Sequence, residues 1–247
     1  MLAILGGSGL TQFSTLTEAR RVAARTTYGE ASGQLVYGRL GGREIVFLAR
    51  HGEAHSIAPH QVNYRANIQA LKDAGAKRIA AVATVGGIRR EFGPGALVVP
   101  DQIIDYTWGR ASTFFEGAGT KVTHIDFTQP YSAALRKDIL AAAKACGEAI
   151  NDGGCYGATQ GPRLETAAEI ARLERDGADL VGMTGMPEAA LARELGLEYA
   201  AIAVVANYAA GRGDSERAIA LDKIQLILDE ALGRVRKIIA KFCEQKE

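Results

Sequence analysis

Long apolar runs are missing from this 247-residue sequence. The longest, Tyr199 to Ala206, falls far short of the ~20 residues that span a bilayer, so no membrane partner is expected. The opening Met-Leu-Ala-Ile-Leu-Gly-Gly lacks a basic flank and an extended apolar stretch, and does not read as a secretory signal. An excess of one charge is missing too. The chain has 29 Lys and Arg against 28 Asp and Glu, without a basic block, which argues against a nucleic-acid partner. Cysteine is sparse. Cys146, Cys155 and Cys243 are scattered, odd in number and without metal-ligand spacing. Structural thiols in a reducing, cytoplasmic compartment are the expectation. With no linker-like tract, internal repeat or low-complexity segment, residues 1–247 read as a single domain.

What is present is a core-forming α/β pattern. Hydrophobic residues make up 47% of the chain, enough for a buried core. Three times a helical segment ends in glycine and a short apolar strand follows. Gly75 precedes Ile79–Ala83, Gly177 precedes Asp179–Met183, and Gly196 precedes Tyr199–Ala206. Glycine just past a helix takes the left-handed conformation that closes the last carbonyls. Continuously apolar strands are those with both faces covered. Further strands are expected at Leu2–Leu5, Leu35–Leu40, Glu44–Ala49 and Ala96–Val99, with Gly41-Gly42 joining the middle two as a hairpin. Helices are expected over 61–74, 131–146, 164–176, 187–195 and 216–242. The last carries Ile219, Ile224, Leu228, Leu232, Val235 and Ile239 on one face. The fold class is therefore α/β: a central, mainly parallel mixed sheet with helices on both sides.

Ligands in such sheets collect at the carboxyl ends of strands. After Leu2–Leu5 comes Gly6-Gly7-Ser8-Gly9-Leu10, readable as an anion cradle or as a tight turn. After Glu44–Ala49 comes Arg50-His51-Gly52-Glu53-Ala54-His55, either a phosphate-binding loop or a solvated one. His60 reads as structural, next to the following helix. Thr84-Val85-Gly86-Gly87 follows Ile79–Ala83, where two glycines allow a ligand close to the backbone. Glu165, in Gly161-Pro162-Arg163-Leu164-Glu165-Thr166, sits where a first helical turn also favours an acid. Gly182-Met183-Thr184-Gly185-Met186-Pro187-Glu188 offers a hydroxyl before a helix start. Asn207 ends a buried strand and must satisfy its amide, on a turn backbone or on a heterocycle.

These segments, in this order, resemble the trimeric purine nucleoside phosphorylase and methylthioadenosine phosphorylase family over almost the whole chain. The most specific pieces are Arg50-His51-Gly52 with His55, Val62-Asn63-Tyr64-Arg65-Ala66-Asn67, Gly161-Pro162-Arg163, and Met183-Thr184 with Pro187-Glu188. The resemblance implies a phosphate site of Ser8, Arg50, His51, Thr84 and Thr184, with Arg50 the anion anchor. It implies a ribose site involving Met183 and a base site of Val85, Gly86, Leu164, Glu165 and Asn207. His55 would orient phosphate or ribose. It also implies a homotrimer. Inorganic phosphate is then the co-substrate and nucleophile, and neither a cofactor nor a metal is called for.

The chain departs from the methylthioadenosine branch at the base. That branch has Asp where Asn207 stands, a second Asp where Ala209 stands, and a small hydroxyl residue where Glu165 stands. Asn207 can donate to a 6-carbonyl and accept from N7–H. Glu165 can accept from N1–H, which 6-oxopurines have and adenine lacks. At the 5′ end the 6-oxopurine enzymes place a His, whereas residues 218–224 here have none, and Leu221 or a neighbour would form an apolar wall. The expected substrate is 5′-methylthioinosine. Rivals are a general inosine/guanosine phosphorylase, a methylthioadenosine phosphorylase that tolerates Asn207, a hydrolase, and a catalytically silent purine-binding protein. Tyr28, Trp108 and Phe114-Phe115 read as core aromatics or subunit contacts.

Overall fold

A computed structural model defines the fold; it describes residues 1–10, 16–219 and 221–245, with the backbone alone for 221–223. The first half carries β1 (Leu2–Gly6), β2 (Thr17–Val22), β3 (Arg25–Thr26), β4 (Gly29–Glu30), β5 (Leu35–Leu40), β6 (Arg43–Ala49), α1 (Tyr64–Asp73), β7 (Arg78–Gly87), β8 (Leu97–Val99) and β9 (Gln102–Asp105). The second carries α2 (Ala133–Ala145), β10 (Asn151–Asp152), β11 (Cys155–Ala158), α3 (Ala167–Arg175), β12 (Leu180–Gly182), α4 (Gly185–Glu194), β13 (Glu198–Tyr208) and α5 (Leu221–Glu244).

One large sheet runs β10-β8-β13-β7-β1-β6-β5-β2, and β12, β11 and β9 branch from β7. Its centre is parallel: β6 and β7 flank β1, and β13 flanks β7. Side chains alternate across it, as a period of two requires. Ala3 and Leu5 of β1 pack with Ile68 and Leu71 of α1 and with Ala189 and Leu191 of α4. Leu2 and Ile4 face the other way, onto Leu135 and Ile139 of α2 and Leu232, Val235 and Ile239 of α5. The expected α/β domain with helices on both faces is what forms. Gly75, Gly177 and Gly196 follow their helices with φ of 88°, 96° and 68°, the left-handed closure expected of them.

The structure corrects several boundaries. Thr84 to Gly87 belong to β7, and Asn207 and Tyr208 to β13, because the two strands pair along their whole length. Helix α3 begins after Thr166, whose side chain accepts from the Glu169 N–H while Glu169 accepts from the Thr166 N–H. The acid favoured by the helix start is thus Glu169, and Glu165 lies outside the helix. In α4, Met186 is extended (φ −118°, ψ 139°) and helical geometry starts at Pro187, as expected of a residue preceding proline. Residues 216–219 are not helical, and α5 starts at Leu221. β2, β3, β4, β9, β10 and β11 are additional to the expected strands; β2 is a charged, exposed edge without an apolar run. Phe114 is buried, edge-on to Tyr28, whereas Trp108 is exposed. Among the described residues no helix is long and apolar enough to cross a membrane.

Candidate active site

Parallel pairing puts the ends of β1, β6, β7 and β13 at one edge of the sheet. A cavity of about 460 Å³ opens there, a size suited to one nucleoside with phosphate. Ser8, Arg50, His51, His55, Thr84, Val85, Gly86, Leu164, Glu165, Met183, Thr184, Asn207 and Ala209 all line it. Of the site residues expected from sequence, only Leu221 is missing, and its side chain lies outside the described residues. Among the described side chains, Ile219 and Ile224 line the cavity, with Ile57 and Pro59 from the loop after β6.

Met183 and Thr184 arrive by an unexpected route. β12 is antiparallel to β7, with Leu180 opposite Gly87 and Val181 opposite Gly86. It therefore runs back along the end of β7 and delivers Met183-Thr184 to the cavity. Asn207 owes its place to an irregularity. Val205 pairs with Val85 and Asn207 with Gly86, leaving Ala206 as a bulge. A bulge re-aims the following side chain, and the neighbours Ala206 and Asn207 both reach the cavity. The Asn207 Nδ2 donates one hydrogen to the Tyr208 carbonyl at 2.6 Å, which fixes the orientation of the amide.

Two expectations for the phosphate loop need correction. Arg50 is not an open fork. It is 1% exposed, and its Nε and Nη2 donate to the two Glu188 oxygens at 2.6 and 2.8 Å. Nη1 donates to the Val82 carbonyl and Nη2 to that of Leu5. Four of the five guanidinium N–H groups are occupied, so one on Nη1 remains for a ligand. Burial works against its charge, but the Glu188 carboxylate outweighs burial and raises its pKa. Gly7 packs against this group: a Cβ there would lie 2.5 Å from the Val82 carbonyl and 2.8 Å from Nη1. The glycine is thus required for close packing as well as for any anion cradle.

His51 is the second correction. Its Nδ1 lies 2.8 Å from the Ile57 carbonyl, which can only accept, so Nδ1 carries the proton. Burial first, then the charge of Arg50, push the imidazole from its ordinary 6.5 down to about 4. At neutral pH its Nε2 is an acceptor, not a cationic donor. Between pH 6.5 and 4 the unfolded chain takes up a proton that the folded chain refuses, so stability falls as pH falls through that window. Urea midpoints should drop more steeply there for the native protein than for His51→Asn. Equal slopes would contradict the buried neutral imidazole.

His55 has a positive φ of 52°, uncommon outside glycine, and its Nε2 is 3.3 Å from the Ser8 hydroxyl. That contact joins two loops 47 residues apart. The Thr84 hydroxyl donates to the Ser8 carbonyl at 3.2 Å. Glu53 turns outward to pair with Arg21 at the surface. His60 sits in a single 3-10 turn, Pro59–Gln61, before α1.

Three further residues support the site, of which Glu188 belongs to a motif of the family resemblance and Arg110 and Thr159 to no expected site. Glu188 is fully buried and also accepts from the Tyr199 hydroxyl at 2.7 Å. Arg110 reaches the carbonyls of Thr159, Gln160, Met183 and Met186 and the Tyr64 hydroxyl. It ties the loop after β9 to both segments that carry Glu165 and Thr184. Thr159 donates to Glu165. Arg110 lies in a stretch without periodicity, so nothing local marked it.

This fold, with base-type and anion-type groups gathered at one sheet edge, is that of a nucleoside-cleaving phosphorylase. The profile of the phosphorylase superfamily matches residues 1–244, and the chain belongs to that superfamily. It is similar to a probable S-methyl-5′-thioinosine phosphorylase of Xanthomonas campestris, 55% identical over 98% of this chain and 96% of that protein. It is also similar to the 6-oxopurine nucleoside phosphorylase of Pyrococcus furiosus, 47% identical over 85% of this chain and 80% of that one. Among solved structures it resembles methylthioadenosine phosphorylase from Schistosoma mansoni in complex with adenine. That match has a TM-score of 0.90 at 32% identity, covering 98% of this chain and 90% of that one.

Proposed function

We propose that the chain cleaves 5′-methylthioinosine with inorganic phosphate, giving hypoxanthine and 5-methylthioribose 1-phosphate, a step of purine salvage. One observation carries the reading. A single cavity joins Asn207 and Glu165, suited to a 6-oxopurine, to an apolar wall of Ile219 and Ile224, suited to a methylthio group. The names of the Xanthomonas and Pyrococcus relatives support the two halves of this reading.

The chemistry follows from the placement. Ser8, Thr84, Thr184 and the remaining Arg50 N–H hold phosphate, and the His51 Nε2 accepts its P–OH. His55 orients the phosphate or the ribose through Ser8, and Met183 covers the ribose. As the C1′–N9 bond breaks, phosphate oxygen forms the new bond to C1′ and the bonding electrons pass to the purine. The Asn207 Nδ2 donates to O6, where negative charge grows as the base leaves; N7 takes a proton from solvent, the Asn207 Oδ1 accepts from that N7–H, and Glu165 fixes the ring by accepting from N1–H. Val85, Gly86, Leu164 and Ala209 wall the base.

Base release from methylthioinosine, inosine and methylthioadenosine, each with and without phosphate, tests the reading. Turnover only with phosphate, and best on methylthioinosine, is expected. Phosphate-independent release would mean a hydrolase, and no release a binding protein. Preference for inosine would overturn the 5′ reading, and preference for methylthioadenosine the base reading. Ile224→Ser should lower the preference for methylthioinosine over inosine by about tenfold, since a buried aliphatic side chain is worth about 1.5–3 kcal/mol. An unchanged ratio would place the methylthio group elsewhere. The family resemblance also supports a cytoplasmic homotrimer. Sedimentation equilibrium should return three chain masses, and a fully active monomer would overturn that.

A further inference from the structure

β11 and β12 pair in parallel as far as Ala158 and Gly182, and the Thr159 N–H donates a last bond to the Gly182 carbonyl at 2.8 Å. Beyond that point the segments part. Residues 159–165 run on to Glu165, and the other segment carries Met183 and Thr184. Among the described residues no backbone hydrogen bond joins 160–165 to 183–187. Yet the two stay close: a Cβ on Gly161 would lie 2.4 Å from the Met183 sulfur. Arg110 bridges them from the loop after β9, whose last residue, Asp105, lies opposite Ala158. Its Nη2 donates to the carbonyls of Thr159 and Gln160 at 3.3 and 2.9 Å. Its Nη1 donates to those of Met183 and Met186 at 2.8 and 2.6 Å. Nε donates to Gln160 Oε1 at 3.1 Å. A planar fork can span two segments in this way, whereas an ammonium places all its donors on one atom.

The two parts of the site depend on this fork unequally. Asn207, Ser8, Arg50 and Thr84 sit on or beside β13, β1, β6 and β7, which pair directly with one another. Glu165, Met183 and Thr184 sit on the segments that Arg110 joins. Base and phosphate can therefore each bind to groups on the central strands without it, but their alignment about the ribose cannot be kept. We propose that Arg110 is a positioning residue for phosphorolysis: it fixes Glu165 relative to Met183 and Thr184, so that purine, C1′ and phosphate come into line. This rests on the reading of the cavity as a nucleoside and phosphate site, and it adds a group outside the cavity that acts on kcat. A displacement of about 1 Å in such an alignment costs on the order of 100-fold in rate.

The test measures kcat and the KM for phosphate, with methylthioinosine, in the native enzyme, Arg110→Ala and Arg110→Lys, and hypoxanthine binding to each by calorimetry. Arg110→Ala should lose about 100-fold in kcat. Its KM for phosphate should stay within about threefold of native, and its hypoxanthine stoichiometry should be unchanged. Guanidinium ion, added well below unfolding concentrations, should raise the kcat of Arg110→Ala by about tenfold or more, and ammonium at the same concentration should not. Arg110→Lys keeps the charge without the fork and should lose most of the same activity; it carries the test if Arg110→Ala does not fold. A merely structural role would lower the folded fraction and leave the folded molecules fully active. A kcat that falls only in step with the binding stoichiometry therefore overturns the proposal. So does native kcat in either variant, or a loss that guanidinium restores no better than ammonium. A native enzyme that shows no phosphate-dependent turnover of methylthioinosine would instead remove the underlying reading of the cavity.

Discussion

Asn207→Asp is expected to lower kcat/KM for methylthioinosine by about 10- to 100-fold and to raise it for methylthioadenosine. In the native protein Nδ2 gives one hydrogen to the Tyr208 carbonyl at 2.6 Å and keeps the other for O6. An aspartate would set an oxygen against that carbonyl. It can relieve the repulsion only by moving or by taking up a proton, and that O–H would then donate to the Tyr208 carbonyl. The oxygen facing the base would be an acceptor, matched to a 6-amino group and opposed to a 6-carbonyl. A buried acceptor facing an acceptor costs about 1–3 kcal/mol, the source of the expected range. Parallel kinetics on the two substrates check it. An unchanged preference would mean that Asn207 does not meet the 6-position.

Glu188→Leu is expected to destabilise the protein by about 3–5 kcal/mol, the usual cost of stranding one member of a buried ion pair. Arg50 is 1% exposed and Glu188 0%, so water cannot take the place of the lost carboxylate. The Tyr199 hydroxyl would lose its acceptor as well. For a chain of this length that loss corresponds to a fall in Tm of roughly 6–20 °C. The double variant Arg50→Met/Glu188→Leu should recover much of the loss, because no unpaired charge remains. Urea and thermal unfolding of both variants check this. A single variant within about 1 kcal/mol of the native protein would show that solvent reaches the pair.

Ser8, Arg50, His51, His55, Glu165, Thr184 and Asn207 were each singled out from short segments or from the family resemblance, and all reach one cavity. The electrical state of two of them was not legible. Arg50 was read as an open anion anchor, yet its fork is closed by Glu188, 138 residues away. His51 was read as a possible donor, yet the Ile57 carbonyl and burial leave it neutral. Of residues 218–224, from which an apolar 5′ wall is expected, Ile219 and Ile224 line the cavity among the described side chains. Ile219 lies before α5, which starts at Leu221, whereas Ile224 lies in α5 and packs against the core on the expected face as well as lining the cavity.

The sequence alone determined what depends on neighbours in the chain. Apolar runs, glycines after helices and the Gly41-Gly42 link between β5 and β6 marked the central strands and most helices, because local sterics and burial on both faces fix those patterns. Residue types at strand ends marked a base-binding and phosphate-binding chemistry. Tertiary structure alone decided how those residues are charged, aimed and supported. β12 turns back along β7 because it pairs with Gly86 and Gly87. Asn207 faces the cavity because β13 bulges at Ala206 against β7. Glu165 has one engaged oxygen because β11 and β12 bring Thr159 beside it. Each of these depends on pairing between segments far apart in the chain, and no local pattern encodes the register of such a pair.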